Sequence, residues 1–455
     1  MRNLSLPKDA MFSNKTIILF IFPILIEQIL IASLSMVDTL MVSRLPDSSF
    51  ILAGIANVTR MDTLFKQIFV ALGAGGGIFI AQFIGAKRLD DANKSLKMNM
   101  ISMVFIAVII SVILEIFKVH ILNFLFGKVE EEVMEQSLKY YSVTILSYPL
   151  MALFNCGCAS LRSMEKSKMT LYASLIMMSV NIIFKYVFLF VLKMGVVGAG
   201  LSTLIAYGVT GIGLLIVLCN KKNNVHIDNI FKPEWDWKML GKIYKVALPT
   251  GIENGLFQVG ALILQTLIAS LGTIAINANH IANTLTPMLH APANAFTLGI
   301  IPFISQCMGA NKSKEAEFYT KHILKLDHII TFGLALIVIP LTPFAIRIFG
   351  MSDDISGEAF KALLIYFICI PLIYPESFAL ANALRGAGDT KFAMCTSVIT
   401  MFMFRIGLAY IFVRIFNLGI LSTWIAMVSD WFVRGIIYRI RFRRGKWKMN
   451  CIIDI

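Results

Sequence analysis

The sequence predicts an all-α polytopic membrane protein, with twelve transmembrane helices in two six-helix lobes related by a parallel internal repeat. Three observations predict it. Of the 455 residues, 57% are hydrophobic and only 15% are charged, where a soluble domain of ordinary composition carries about 25% charged residues. Apolar runs of roughly 18–25 residues recur along the whole chain, each able to cross about 30 Å of hydrocarbon as a helix. Short motifs also return once, in order, about 220 to 226 residues later.

The runs centre near Leu25, Val70, Val108, Leu150, Ile182 and Ala206, and again near Gly260, Phe296, Ile337, Ile370, Phe402 and Met427. They lack strand alternation, and an open sheet would leave its backbone unsatisfied in lipid. The first residues, "MRNLSLPKDAMFSNKT", are polar and contain a proline, unlike the basic start and immediate apolar core of a cleavable signal. The first run is therefore expected to stay as a helix.

Lysine and arginine set the orientation. They gather at the start (Arg2, Lys8, Lys15) and after the second, fourth, sixth, eighth and tenth runs, as at Lys87, Arg162, Lys221, Lys232, Lys312 and Arg385. They also fill the end, from Arg439 to Lys448. The alternate loops carry acids instead, "KVEEE" at 128–132 and "DDISGE" at 353–358. By the positive-inside rule both termini are cytoplasmic. The net charge of +14 then reflects topology and attraction to anionic lipid, with no nucleic acid as partner. The seven cysteines, including "CGC" at 156–158, and the six histidines show no metal-ligand spacing.

The repeat is carried by four pairs: "PILIE" at 23–27 with "PTGIE" at 249–253, and "IAQFIGAK" at 80–87 with "ISQCMGAN" at 304–311. "PLMAL…LRSMEKSK" from Pro149 pairs with "PLIYP…LRGAGDTK" from Pro371, and "LSTLIA" at 201–206 with "LSTWIA" at 421–426. Six runs per copy give both copies the same orientation. The expected domains are a lobe at 1–219, a cytoplasmic linker at 220–238, a second lobe at 239–448 and a tail at 449–455. A duplicated bundle is either a scaffold or two lobes that open a central cavity alternately, and charges kept in the membrane favour the second.

Those charges are Glu27, Asp38, Arg60, Asp62, Lys66, Lys185, Glu253, Glu376, Arg405, Asp430 and Arg434. Each costs about 2.5–3.5 kcal/mol at mid-helix by insertion scales. Glu27 lies roughly 17 Å into its run at 1.5 Å per residue, too deep to reach the interface. Counting back from the paired "LST" motifs, Lys185 and Arg405 are equivalent. Each lobe thus has a glutamate on its first helix and a cation on its fifth. The expected arrangement joins Asp38, Lys185 and Glu27 in the first lobe, with Glu253 and Arg405 echoing it in the second. Static ion pairs that lock helices are the competing reading. Asp430 and Arg434, four residues apart, are expected to pair with each other. "GAGGGIF" at 73–79 lacks the ending of a phosphate loop and is read as close helix packing.

"PILIEQILIASLSMVDTLMVSRL", "AQFIGAK", "NIIFKYVFLF…MGVVGAGLSTLIA" and "LRGAGDTKF" together resemble the MATE family (multidrug and toxic compound extrusion) over nearly the whole chain. The resemblance implies a secondary active efflux transporter that exchanges organic, cationic, multidrug-type compounds for protons or sodium ions by alternating access. It places the family's acidic residue of the first helix on Asp38. In the DinF-like branch the first-lobe cation site also uses residues that fall on Asn181, Lys185 and Thr203. Lysine stands there in place of an aspartate, and a fixed positive charge opposes sodium. Pro23 matches the proline at which the first helix is proposed to bend. Glu253 and Glu376 lie near, but off, the positions of the NorM-like branch.

The resemblance further implies no enzyme activity and no cofactor beyond the coupling ion, H+ or Na+. The partners expected are a small organic substrate and membrane lipids, in the cytoplasmic membrane, with the chain a monomer. The alternative is a flippase or exporter of lipid-linked or anionic substrates, which the basic residues Arg60, Lys66, Lys185 and Arg405 favour.

Overall fold

The structure is a computed structural model that describes residues 10–42, 44, 48–127, 129–229 and 235–453. Arg2, Lys8 and Lys232, used above for orientation, lie outside the described residues, as does Lys128 of "KVEEE". The described residues form helices and no strand. The first repeat runs α1 (Asn14–Val42), α2 (Ser48–Gly85), α3 (Leu89–Phe126), α4 (Glu131–Ser163), α5 (Ser167–Tyr186) and α6 (Gly195–Leu218). The second opens with α7 (Trp237–Ala269), α8 (Thr273–Leu285), α9 (Pro287–Gly309) and α10 (Ser313–Arg347). It closes with α11 (Asp353–Tyr374), α12 (Leu380–Gly386), α13 (Thr390–Thr400), α14 (Leu408–Arg414) and α15 (Leu421–Arg443). Three π-helical turns continue or bridge these helices: Val187–Val191 after α5, Pro375–Ala379 between α11 and α12, and Met401–Gly407 between α13 and α14. Counting the pieces bridged by π turns as one span each, and α8 with α9 across Thr286, the described residues give the twelve membrane helices of the expected fold.

Eleven of these spans are long and apolar enough to cross a membrane. The remaining one, α15, carries Asp430, Arg434, Arg439, Arg441 and Arg443 within its 23 residues. The lipid-facing pattern is plain on α3, where Phe105, Ile109, Val112, Ile116 and Phe117 are exposed at helical spacing. Helices α2 and α9 are the most buried spans, whereas α10 and α3 are among those with outward faces.

The chain divides into two compact units, one holding residues 30–251 and the other residues 1–29 with 252–455. The change of unit falls inside α1 and inside α7, so the first helix of each repeat contributes residues to both. In the unit formed by 30–251, α2 packs on α3, α4 and the start of α7. Close approach depends on glycine: a Cβ on Gly75 would lie 2.4 Å from the Ala247 Cβ, and one on Gly76 would lie 2.0 Å from the Asn99 amide. Ser163 donates from its hydroxyl to the Gly77 carbonyl at 2.7 Å. "GAGGGIF" is thus a helix face that other helices touch. After α6 the chain folds back with Val225 and Ile227 buried. Asp236 caps α7 by accepting the Met239 N–H at 3.0 Å. That bond, with Lys94 at 3.1 Å, holds the Asp236 carboxyl below the usual aspartate range. The cap's contribution is therefore present above about pH 4 and is lost as pH falls through the lower folded value.

In the other unit the last residues turn back at Gly445, whose φ is +69°. Trp447 buries its ring against Phe442, with centroids 5.1 Å apart, and Lys448 pairs with Glu317 at 2.5 Å.

Gly75→Leu should destabilise the folded protein by about 1–3 kcal/mol, the usual penalty of overpacking. Gly213→Ala on α6, where no atom lies within 4 Å of the new Cβ, should be neutral or slightly stabilising. Thermal unfolding of both variants in detergent checks the contrast.

Candidate functional site: buried ion pairs beside π-helical turns

Lys185 ends α5 with its side chain 5% exposed, and its Nζ lies 2.6 Å from Oδ1 of Asp38 on α1. One turn earlier, Asn181 donates from Nδ2 to the Thr203 hydroxyl of α6 at 3.3 Å. Thr203 in turn donates to the Ala199 carbonyl at 3.3 Å. Residues four apart share a helix face, so Asn181 and Lys185 project together from α5. The structure thus brings together Asp38, Lys185, Asn181 and Thr203: an ammonium seated on the carboxylate, and an amide paired with a hydroxyl beside it. Immediately beyond Lys185 the helix widens into the π turn Val187–Val191.

Glu27 is buried, 2% exposed, on the part of α1 that belongs to the other unit. Pro23 lies one turn before it, within an unbroken α1. Asp62 accepts a hydrogen bond from the Tyr148 hydroxyl of α4 at 2.7 Å. Arg60 is exposed.

The second repeat departs from the expected echo. Glu253 is held by Arg385 of α12, not by Arg405: Nη2 lies 2.7 Å from each carboxylate oxygen. Asn382 accepts from Arg385 Nη1 at 2.5 Å and donates to the Thr297 carbonyl at 2.8 Å, which fixes the guanidinium plane. Arg405 sits half-buried in the π turn Met401–Gly407, with no ion pair among the described residues. Arg385 reaches the carboxylate, only 7% exposed, through Nη2 alone, which leaves Nη1 free for Asn382, a division of donors that lysine's single ammonium does not offer at fixed angles.

Asp430 and Arg434 also fail to pair. Arg434 donates from Nε to the Ser377 hydroxyl at 2.7 Å, and its guanidinium lies 4.4 Å from the Phe378 ring and 5.6 Å from the Phe257 ring. A desolvated cation–π contact is worth about 2 kcal/mol, more than the roughly 0.2–0.5 kcal/mol of an i, i+4 ion pair on a helix.

Sequence reasoning missed four residues that matter here. Arg385 was assigned to a loop, although the same Leu-Arg step stands at Leu161-Arg162 in the first repeat. Asp327 of α10 is fully buried. His290 of α9 meets the Tyr366 hydroxyl at 3.0 Å. His328 of α10 lies 3.5 Å from Glu376. No motif marked the last three.

A duplicated twelve-helix bundle with ion pairs held at membrane depth defines a membrane transporter built from parallel repeats. The family model described as MatE matches residues 23–187 and again 249–411, and the chain belongs to that family, whose members are transporters and not enzymes. A Bacillus subtilis protein described as an uncharacterized transporter, YisQ, is 27% identical over 446 residues, 96% of each chain. A Thermotoga maritima protein, the probable multidrug resistance protein NorM, is 26% identical over 465 residues, 98% of this chain and 96% of its own. The fold matches a multidrug resistance MATE family transporter of the MOP superfamily solved in an outward-facing conformation, with TM-score 0.85 and 21% identity over 95% of this chain and 96% of that one. It also matches a MOP superfamily transporter from Pyrococcus furiosus, described as having a binding pocket of reverse polarity, with TM-score 0.86 and 21% identity over 95% of each chain.

Glu253→Ala leaves the Arg385 guanidinium buried without its partner and should cost about 3–5 kcal/mol. Glu253→Leu combined with Arg385→Met should recover most of that loss. Denaturant titration of the purified variants measures both.

Proposed function

We propose that the protein is a secondary active exporter that exchanges organic compounds of the multidrug, cationic type for protons by alternating access. We place it in the cytoplasmic membrane as a monomer, with both termini cytoplasmic. The observation that carries the choice of ion is the Lys185 ammonium 2.6 Å from Asp38. A sodium ion brought to about 3 Å from that ammonium meets a repulsion of roughly 5 kcal/mol at an effective dielectric of 20. A proton delivered to the Asp38 carboxylate needs no such space, and it releases the lysine from its partner. Lys185 then acts as a tethered counter-ion that alternates between bound and free states, beside the Asn181–Thr203 pair.

Pro23 removes the hydrogen bond that its position would make to the Leu19 carbonyl. It thereby gives α1 a place to bend one turn before Glu27, a carboxylate suited to relaying the proton. The names of the curated relatives, multidrug resistance proteins, support the cargo class. An anionic or lipid-linked cargo is the second reading, favoured by the lysine that stands where the family's DinF-like branch has an aspartate.

Two measurements test the proposal. Asp38→Asn should abolish efflux from proteoliposomes while the protein is made in normal amounts; retained transport would remove Asp38 from coupling. Counterflow under separately imposed gradients should follow a pH gradient and respond little to sodium, across a panel of cationic and anionic compounds. Sodium dependence without a proton response would overturn the choice of ion, and uptake of the anionic compounds alone would replace the cargo.

A further inference from the structure

We propose that His328 and Glu376 form a second proton-binding site, built where "PLIYP" (371–375) breaks the hydrogen-bond ladder of its helix. The interruption begins at Pro375. Lacking an N–H, it cannot donate to the carbonyl of Pro371, four residues earlier. A carbonyl freed at membrane depth needs another donor. His328 of α10 supplies it, with Nδ1 2.6 Å from the Pro371 oxygen. A carbonyl only accepts, so Nδ1 carries a hydrogen.

That commitment decides what the other ring nitrogen offers. Nε2 faces Oε1 of Glu376 at 3.5 Å. A neutral imidazole with its hydrogen on Nδ1 would turn the Nε2 lone pair toward a carboxylate, two acceptors facing each other. The contact is satisfied only when a proton lies on Nε2 or on the carboxyl. One proton, taken from water, is therefore held between the two groups, and no bond other than N–H or O–H forms or breaks. Arg439 of α15 places Nη2 3.0 Å from the same Oε1 as an ion pair, which compensates the carboxylate when the proton leaves.

The placement is built. Glu376 lies in the π turn Pro375–Ala379, and π turns inside α-helices gather at functional sites. Gly435 of α15 lets that turn approach: a Cβ there would lie 3.2 Å from the Glu376 Cβ. The other titratable or charged groups on the elements packed against α10 are engaged elsewhere. His290 of α9 meets Tyr366, Tyr374 of α11 stacks on Phe378 at 4.3 Å, and Arg385 of α12 holds Glu253. Neither Cys369 of α11 nor the buried Asp327 of α10 touches His328 within hydrogen-bond distance among the described contacts. Arg439 and Glu376 are the charges that face it. The first repeat has Leu153 where Pro375 stands, so its Pro149 carbonyl keeps a backbone donor and the site has no counterpart there.

Use of this proton in the transport cycle rests on the proton-coupled reading above; its binding does not. Diethyl pyrocarbonate modifies the unprotonated Nε2 of histidine, and peptide mass spectrometry reads each site separately. In the purified full-length protein near neutral pH, His328 should react about ten-fold more slowly in the wild type than in Glu376→Gln, normalised to His226. Equal rates, or no reaction of His328 in either protein while His226 reacts, would overturn the site. His328→Gln keeps a donor for the Pro371 carbonyl without titrating, so it should fold, and its transport should lose an inflection between about pH 5 and 8. An unchanged profile would overturn the role in transport. If the labelling contrast holds and imposed proton gradients drive nothing, the coupling proposal fails and the proton site stands.

Discussion

A charge held in hydrocarbon must be answered within the protein, and most of the polar chemistry of this chain follows from that constraint. Lys185 is answered by Asp38 at 2.6 Å and Glu253 by Arg385 at 2.7 Å. Arg434 takes a different answer, the faces of two aromatic rings and one hydroxyl. These solutions differ in what they permit. A carboxylate held through both oxygens by one guanidinium nitrogen, with the other nitrogen fixed by an amide, is a lock, because breaking it strands a buried charge. A lysine on an aspartate is looser, since the ammonium is a point charge on a flexible stem and the aspartate is one-third exposed. Transport needs a group that can change partners, and the lysine pair is the one suited to it.

The backbone obeys the same rule. In lipid every N–H and C=O needs a partner, so each interruption of a helix must be repaired locally. The three π turns are such interruptions, and each adjoins or contains a sequence-predicted buried charge: Val187–Val191 follows Lys185, Pro375–Ala379 contains Glu376, and Met401–Gly407 contains Arg405. A π turn admits one more residue per turn and so changes which way the following side chains project. The turn in the first repeat follows Lys185, whereas the one in the second spans Arg405 itself.

Much of this was legible in the sequence, and the parts that were not share a cause. Twelve spans follow from run length, and the two copies follow from paired motifs, because both signals are local. The Asp38–Lys185 contact was reachable through the departure at Lys185, where a cation stands among residues that elsewhere surround one. The partner of Glu253 was not found, because depth estimates put Arg385 in a loop and the equivalence of Lys185 with Arg405 drew attention away from it. Which cation reaches a carboxylate depends on helix rotation and on where α12 begins after a π turn, and neither is written in hydropathy. Asp430 and Arg434 show the same limit: spacing on one helix allows a pair, and side chains from α7 and the π turn Pro375–Ala379 offered Arg434 a better environment.

The two repeats kept their glutamates and their fifth-helix cations but diverged in what surrounds them. In the first, the lysine is paired with an aspartate that the second does not place opposite Arg405. In the second, one extra proline frees a carbonyl, and a histidine from a neighbouring helix claims it. A single difference, Pro375 where the first repeat has Leu153, accounts for the freed acceptor, whereas the histidine answers it from α10, more than forty residues earlier in the chain. The two changes are useful only together: the proline alone leaves a carbonyl unsatisfied, and the histidine alone buries a ring nitrogen without a partner. Their coexistence in one repeat is a physical reason to treat the halves as specialised, in line with the tethered cation proposed for one and the proton site proposed for the other.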